Sequence, residues 1–178
     1  IEPPLQQLSL EILSDLAGVD LKQYPIGIDG CGLPAPTMPL VQLGYAMARF
    51  ANPVDLSDSR AQAIRRLHTA ITNEPLYIAG HGTVVSELNE VSCGAVLAKT
   101  GAEGIVTAAI PERGLGVAIK IADGSARARS VALLAILDHL GVLSDEEKQR
   151  LHAHIFPQIV NSRGLVVGEI RPAASWLQ

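Results

Sequence analysis

The stretch CGAVLAKTGAEGIVTAAIPERGLGVAIKI, residues 93–121, decides the fold class. It contains three short runs of β-branched and small residues, at 93–98, 104–110 and 114–121. Gly101-Ala102-Glu103-Gly104 separates the first two, and Pro111-Glu112-Arg113-Gly114 the last two. Runs of this length with turn residues at each break predict an antiparallel meander.

Helices are expected on both sides. Pro3 and Pro4 precede Leu5, Leu8, Ile12, Leu13 and Leu16, an apolar set at helical spacing that Gly18 can end. Residues 24–39 carry three glycines and several prolines, which excludes a helix and predicts a long ordered loop. Residues 40–51 read as a helix stopped at Asn52-Pro53. Another is expected over 59–72, capped by Asp58 or Ser57, with Arg60, Arg65 and Arg66 on a solvated face. After the meander, a helix is predicted over 126–140 and closed by Gly141. Ser144 and Glu147 then form a capping box opening a helix to about 155. Arg163-Gly164 turns into a final strand over 165–170, expected to return to the meander. Helices, strands, then helices and one strand predict an α+β fold, an antiparallel sheet flanked by helices.

Composition narrows the function classes. The 178 residues, 18.8 kDa, suit one domain, and a 48% hydrophobic but 3% aromatic chain must build its core from aliphatic side chains. The net charge of −4 argues against nucleic acid, whose phosphates need a basic face. No apolar run reaches the roughly 18 residues of a membrane span. Two cysteines, Cys31 and Cys93, make no disulfide framework and fit a cytoplasmic, reducing compartment.

Three constellations can carry chemistry. In Asp29-Gly30-Cys31-Gly32-Leu33-Pro34-Ala35-Pro36 the flanking glycines leave the sulfur uncrowded, so Cys31 can be a nucleophile, a metal ligand, or a small packed residue in a tight turn. In Lys99-Thr100-Gly101 a strand-end lysine can reach into a cleft beside backbone N–H groups, or simply sit exposed before a hairpin. Lys-Thr-Gly is also the third signature of serine β-lactamases and penicillin-binding enzymes. In Lys120-Ile121-Ala122-Asp123-Gly124, a surface position for Lys120 and capping for Asp123 explain both residues. His152 and His154, two apart on a helix, make a poor metal pair, and His81 reads as an exposed loop residue. Ser-x-x-Lys, His-Glu-x-x-His, Gly-x-Ser-x-Gly and Walker sequences are all missing from the 178 residues, so a catalytic Lys99 would need serine partners from elsewhere.

Four blocks in register resemble the asparaginase II family, the rhizobial-type L-asparaginases. They are Asp29-Gly30-Cys31 with Pro34-Ala35-Pro36 and Met38-Pro39-Leu40, continuing through Ala46-Met47-Ala48-Arg49-Phe50-Ala51; residues 99–104; residues 116–124; and Val167-Gly168-Glu169-Ile170-Arg171-Pro172. The resemblance implies a chain about half the family's length, its C-terminal portion, with Ile1 marking a cut, and a fold like serine β-lactamases and glutaminases. It implies that Lys99 pairs with a second catalytic serine, and that Cys31 is one zinc ligand with a cysteine and a lysine upstream. Asp29 and Gly30 would shape the substrate end of the pocket, with Thr100 and Gly101 the strand edge beside substrate. His81 stands where a small or hydroxyl residue is expected. The implied reaction is L-asparagine plus water giving L-aspartate and ammonia, in a homodimer. Rival readings are another Ser–Lys amidohydrolase, such as a glutaminase or β-lactamase-like enzyme, and a non-catalytic binding or assembly module.

Overall fold

A computed structural model describes residues 3–176. Three strands, β3 (Leu97–Thr100), β4 (Ile105–Ile110) and β5 (Leu115–Lys120), form an antiparallel sheet in the order β3-β4-β5. The register sets Lys99 opposite Thr107 and Thr107 opposite Ala118, and Ile105 opposite Lys120. Because side chains alternate along a strand, the sheet has two distinct faces.

One face builds the main core. Ala98, Val106, Ala108 and Ile110 pack with Val85 and Leu88 of helix α5 (Val84–Val91) and with Leu133, Leu134 and Leu137 of helix α6 (Ala126–His139). All are buried. Burial of whole aliphatic side chains is worth about 1.5–3 kcal/mol each, the largest favourable contribution available to a chain with so few aromatics.

The opposite face carries helix α2 (Leu40–Ala51). Here the sequence places small residues where the helix must lie: Ala109 on β4, Gly116 and Ala118 on β5, and Gly44 and Ala48 on α2. A Cβ at Gly116 would overlap the Gly44 carbonyl and the Ala48 amide, so two backbones meet with no side chain between them. Helix α1 (Pro4–Ala17) and helix α3 (Asp58–Asn73) bracket α2. Asp15 of α1 accepts from both Arg49 of α2 and Arg60 of α3, so Arg60 ties helices together and does not lie on a purely solvated face. His68 of α3 lies 2.8 Å through Nε2 from the Phe50 carbonyl and meets the Phe50 ring edge-on.

The outer edge of β3 is closed by one side chain. Asn89, on α5 and buried, accepts from the Ala98 N–H at 2.7 Å and donates to the Ala98 carbonyl at 3.0 Å. Its amide imitates a neighbouring strand, satisfying backbone groups that would otherwise be orphaned in the interior. Helix α5, which Thr83 caps and whose Val84, Val85, Leu88 and Val91 are buried, the short helix α4 (Leu76–Ala79) and this bond lie outside the elements expected from the sequence.

Several expectations are corrected. The loop over 24–39 contains a hairpin of β1 (Ile26–Ile28) and β2 (Pro34–Pro36) around an Asp29–Leu33 turn. The first meander strand starts at Leu97, because Ser92 and Cys93–Gly94 make a turn in which Ser92 Oγ binds Val96 at both N and O. The helix from the capping box splits into α7 (Asp145–Arg150) and α8 (His152–Ile155) at the buried Leu151, whose ψ of 4° departs from the helix. The final strand does not return to the meander. β7 (Val166–Glu169) pairs with β6 (Gln158–Val160), since Asn161 accepts from the Arg163 and Leu165 amides and tightens a local turn before the chain can travel. The α+β class with antiparallel sheets stands.

Two outcomes follow from this packing. Gly116→Ala should destabilise by at least about 2 kcal/mol, because the obstacle is backbone and cannot repack; Gly30→Ala, with nothing within 4 Å of the new methyl, should stay within about 0.5 kcal/mol. Urea unfolding of the two variants checks this, and equal midpoints would contradict it. Burial holds His68 below the ordinary histidine value of about 6.5, against the pull of the Phe50 carbonyl. The unfolded chain therefore binds the proton more readily, and stability is lost as pH falls below about 6.5. Thermal melts from pH 7.5 to 5.5 should show a falling midpoint that His68→Gln flattens.

Candidate active site

The face under α2 is not wholly covered. Beyond the small-residue stripe, α2 begins at Leu40, and the end of the sheet face stays open over two adjacent rows: Lys99 on β3 with Thr107 on β4, then Ile105 on β4 with Lys120 on β5. These four side chains line a cleft of about 640 Å³, walled by Leu40 and Leu43 of α2, by Leu13 of α1, and by residues 35–38 at the end of the first hairpin. Thr100 and Gly101 complete its rim.

Local chemistry fixes the geometry of that rim. Gly101 N donates to the Ile105 carbonyl at 2.9 Å, closing the turn after Lys-Thr-Gly. Glu103 and Gly104 adopt left-handed conformations there, with φ of 54° and 71°. Gly104 also faces Ile121 and Gly124 closely enough that a Cβ would clash, and its carbonyl accepts from Ile121 N at 3.1 Å. The turns 101–104 and 121–124 are thus held against each other, which fixes the ends of β3 and β5 and the two lysines they carry. Arg129 on α6 donates to the Gly101 carbonyl at 3.1 Å, and its Nε is buried with no partner among the described residues. Sequence reasoning missed Arg129, which sits in an ordinary helix with no motif around it.

Both ammonium groups lie within their own strand ends. Lys99 Nζ donates to the Thr100 carbonyl at 2.7 Å and Lys120 Nζ to the Ile121 carbonyl at 2.7 Å. Among the described residues, neither forms an ion pair and no acidic or serine side chain lines the cleft. Of its hydroxyls, Thr37 donates to the Pro25 carbonyl and Thr107 to the Lys99 carbonyl. The cleft is therefore an apolar trough with two cations over its floor, suited to a small anion-bearing molecule, and it holds no activated nucleophile.

Asp29, Gly30 and Cys31 stand apart. They form the exposed tip of the β1–β2 hairpin and are not among the residues lining the cleft; only the return strand reaches it, through Ala35 and Pro36. Asp29 Oδ1 accepts from the Cys31 and Leu33 amides at 2.9 and 3.0 Å, and the Cys31 thiol lies 2.9 and 3.1 Å from the two carboxylate oxygens. The thiol's hydrogen bond and the Leu33 amide hold Asp29 below the usual carboxylate range, and the same carboxylate pushes the Cys31 thiol upward.

That pair does not amount to a zinc site. Structural zinc takes four ligands and catalytic zinc three plus water, whereas no group of three or more His, Cys, Asp or Glu side chains converges among the described residues. Ligation also needs a thiolate, which the adjacent carboxylate disfavours. A zinc site that used Cys31 would need its other ligands from outside the described residues. The remaining expectations divide similarly. Asp123 accepts from the Ser125 amide at 2.8 Å, just ahead of the helix cap Ser125. His81 lies with Glu87, Glu90 and Arg150 around a separate hollow, and His154 pairs with Glu87 at 2.8 Å.

No helix among the described residues is long and apolar enough to cross a membrane. A search of curated proteins finds no match. A family model described as L-asparaginase II matches residues 1–172, spanning both hairpins, the meander and the Lys-Thr-Gly rim. With nearly the whole chain matched and a cation-lined cleft at the centre of the match, the chain belongs to the L-asparaginase II family.

Proposed function

We propose that this chain is the C-terminal portion of an asparaginase II-type amidohydrolase with a serine β-lactamase-like fold, and that it supplies the lysine side of a Ser–Lys site. The observation that carries the proposal is Lys99-Thr100-Gly101 on the rim of a cleft that has cations and hydroxyls but no serine. The nucleophile is then contributed by sequence outside these 178 residues.

In this reading a serine hydroxyl attacks the side-chain carboxamide carbon of L-asparagine. Its proton passes to a neighbouring lysine, since serine is a weak nucleophile until a base accepts that proton. The tetrahedral intermediate expels ammonia once the nitrogen is protonated, and Lys99, paired with a second serine, carries that proton. Water then cleaves the acyl ester, releasing L-aspartate and restoring the serine. Thr100 and Gly101 offer the strand edge along which the substrate lies; Gly101 leaves room beside it. Asp29 and Gly30 contribute by setting the hairpin whose return strand walls the cleft.

Two associated features belong to the same proposal. Cys31 acts as a single zinc ligand, its exposed position at a hairpin tip allowing donors from outside the chain to approach. The protein works as a cytoplasmic homodimer, a reading supported by two free, exposed cysteines and by the exposed Ile159, Val160, Leu165 and Val167 of the second hairpin.

In the full-length protein, Lys99→Ala should lower kcat for L-asparagine by about 10²–10⁴-fold, the usual worth of a positioned proton carrier, with an unchanged circular dichroism spectrum. Lys99→Arg should not restore it, because a guanidinium keeps its proton. Turnover unchanged by Lys99→Ala would favour a purely structural lysine. The 178-residue chain alone should release no ammonia from L-asparagine above background and bind zinc weakly; measurable hydrolysis by it would overturn the half-site reading.

A further inference from the structure

The geometry points to Lys120 as the anchor for the α-carboxylate of the substrate, making a free carboxylate part of what this cleft recognises. The inference rests on the amidohydrolase reading for the identity of the reaction, but its evidence is separate. The chain has four lysines, and two of them line this one cleft. Lys148, by contrast, is held by Asp138 and Asp145 at 3.1 and 2.8 Å. Lys99 and Lys120 have no such counter-charge among the described residues; each donates only to a carbonyl beside it.

Register explains why they work as a pair. Lys99 is level with Thr107 and Lys120 with Ile105, so both project from the same face across the central strand. Their strands are two spacings apart, about 9.5 Å, and the two positions are offset by two residues, about 7 Å, along the strands; flexible four-carbon arms leaning inward across that diagonal can reach opposite ends of one small amino acid. If Lys99 serves the amide end, the second cation meets the other end, where asparagine carries its carboxylate. No acidic side chain lines the cleft to neutralise Lys120 in advance, so the anion itself supplies the missing charge. The same arrangement disfavours an asparagine inside a peptide, whose α-carboxylate has become an uncharged amide. Lys120 reads from sequence as a surface residue because nothing there shows that its strand end shares a cleft with Lys99.

The test compares ligands with and without the carboxylate, on the full-length protein and its Lys120→Met and Lys120→Arg variants. Calorimetric titration with L-aspartate should show binding weakened roughly 10-fold or more by Lys120→Met and largely kept by Lys120→Arg, the scale of losing one charge-assisted hydrogen bond. Titration with L-asparaginamide should be unaffected by either change. In kcat/KM, the wild-type preference for L-asparagine over L-asparaginamide should collapse in Lys120→Met, chiefly through KM. Unchanged aspartate binding in Lys120→Met, equal losses for both ligands, or no aspartate binding to the wild type would overturn the assignment. Lys120-dependent aspartate binding without asparagine turnover would instead leave the anchor standing and overturn the hydrolase reading.

Discussion

The backbone contact between Gly44 of α2 and Gly116 of β5 is the constraint on which the rest of the structure depends. A helix laid on a sheet normally rides on a layer of side chains. Here glycine at both contact points and alanine around them remove that spacer, and α2 sits down on β4 and β5 over Ala109, Gly116 and Ala118. The helix consequently covers one half of the sheet face tightly and ends at Leu40 before reaching the other half. The uncovered end of the face is where residues stop being small and become Lys99, Thr107, Ile105 and Lys120. The cleft is thus the direct complement of the close contact, and the same strands that make the contact carry the cations.

The other face of the sheet provides the rigidity this requires. Aliphatic packing against α5 and α6 buries Val106, Ala108 and Ile110, and Asn89 closes the free edge of β3 one residue before Lys99. Arg129 reaches from α6 to the Gly101 carbonyl on the far side of the same lysine. Lys99 is therefore fixed by an amide bridge before it and a guanidinium after it, both borne on helices of the main core. A strand-end side chain on an unsupported edge would fray; this one is held from two helices.

The elements legible in the sequence are those whose signals are local. Turn residues at 101–104 and 111–114 mark the meander, prolines and a capping box mark helix starts, and the Lys-Thr-Gly triplet marks the rim. What stays hidden depends on partners distant in sequence or on small differences between competing turns. Asn89 has no periodicity of its own to announce that it bonds Ala98. The terminal strand has the same alternation whether it joins the meander or folds back on residues 158–160, and the turn held by the Asn161 side chain and backbone fixes the second pairing. The family resemblance groups the glycine-flanked Cys31 with Lys99 in one site, whereas in this chain the Asx turn made by Asp29 sets Cys31 at an exposed hairpin tip away from the residues lining the cleft. Lys120 is the converse case: read from sequence as a surface position, it is placed in the cleft by register.

These relations converge on one claim, that the open end of the sheet face between Lys99 and Lys120 is where substrate lies. A crystal structure of the full-length protein with L-aspartate bound tests it most directly. The account predicts the ligand over Ile105 and Thr107, its α-carboxylate against Lys120 and its other end towards Lys99. Aspartate bound at the 29–31 hairpin tip, or in any pocket not bordered by both lysines, would contradict it.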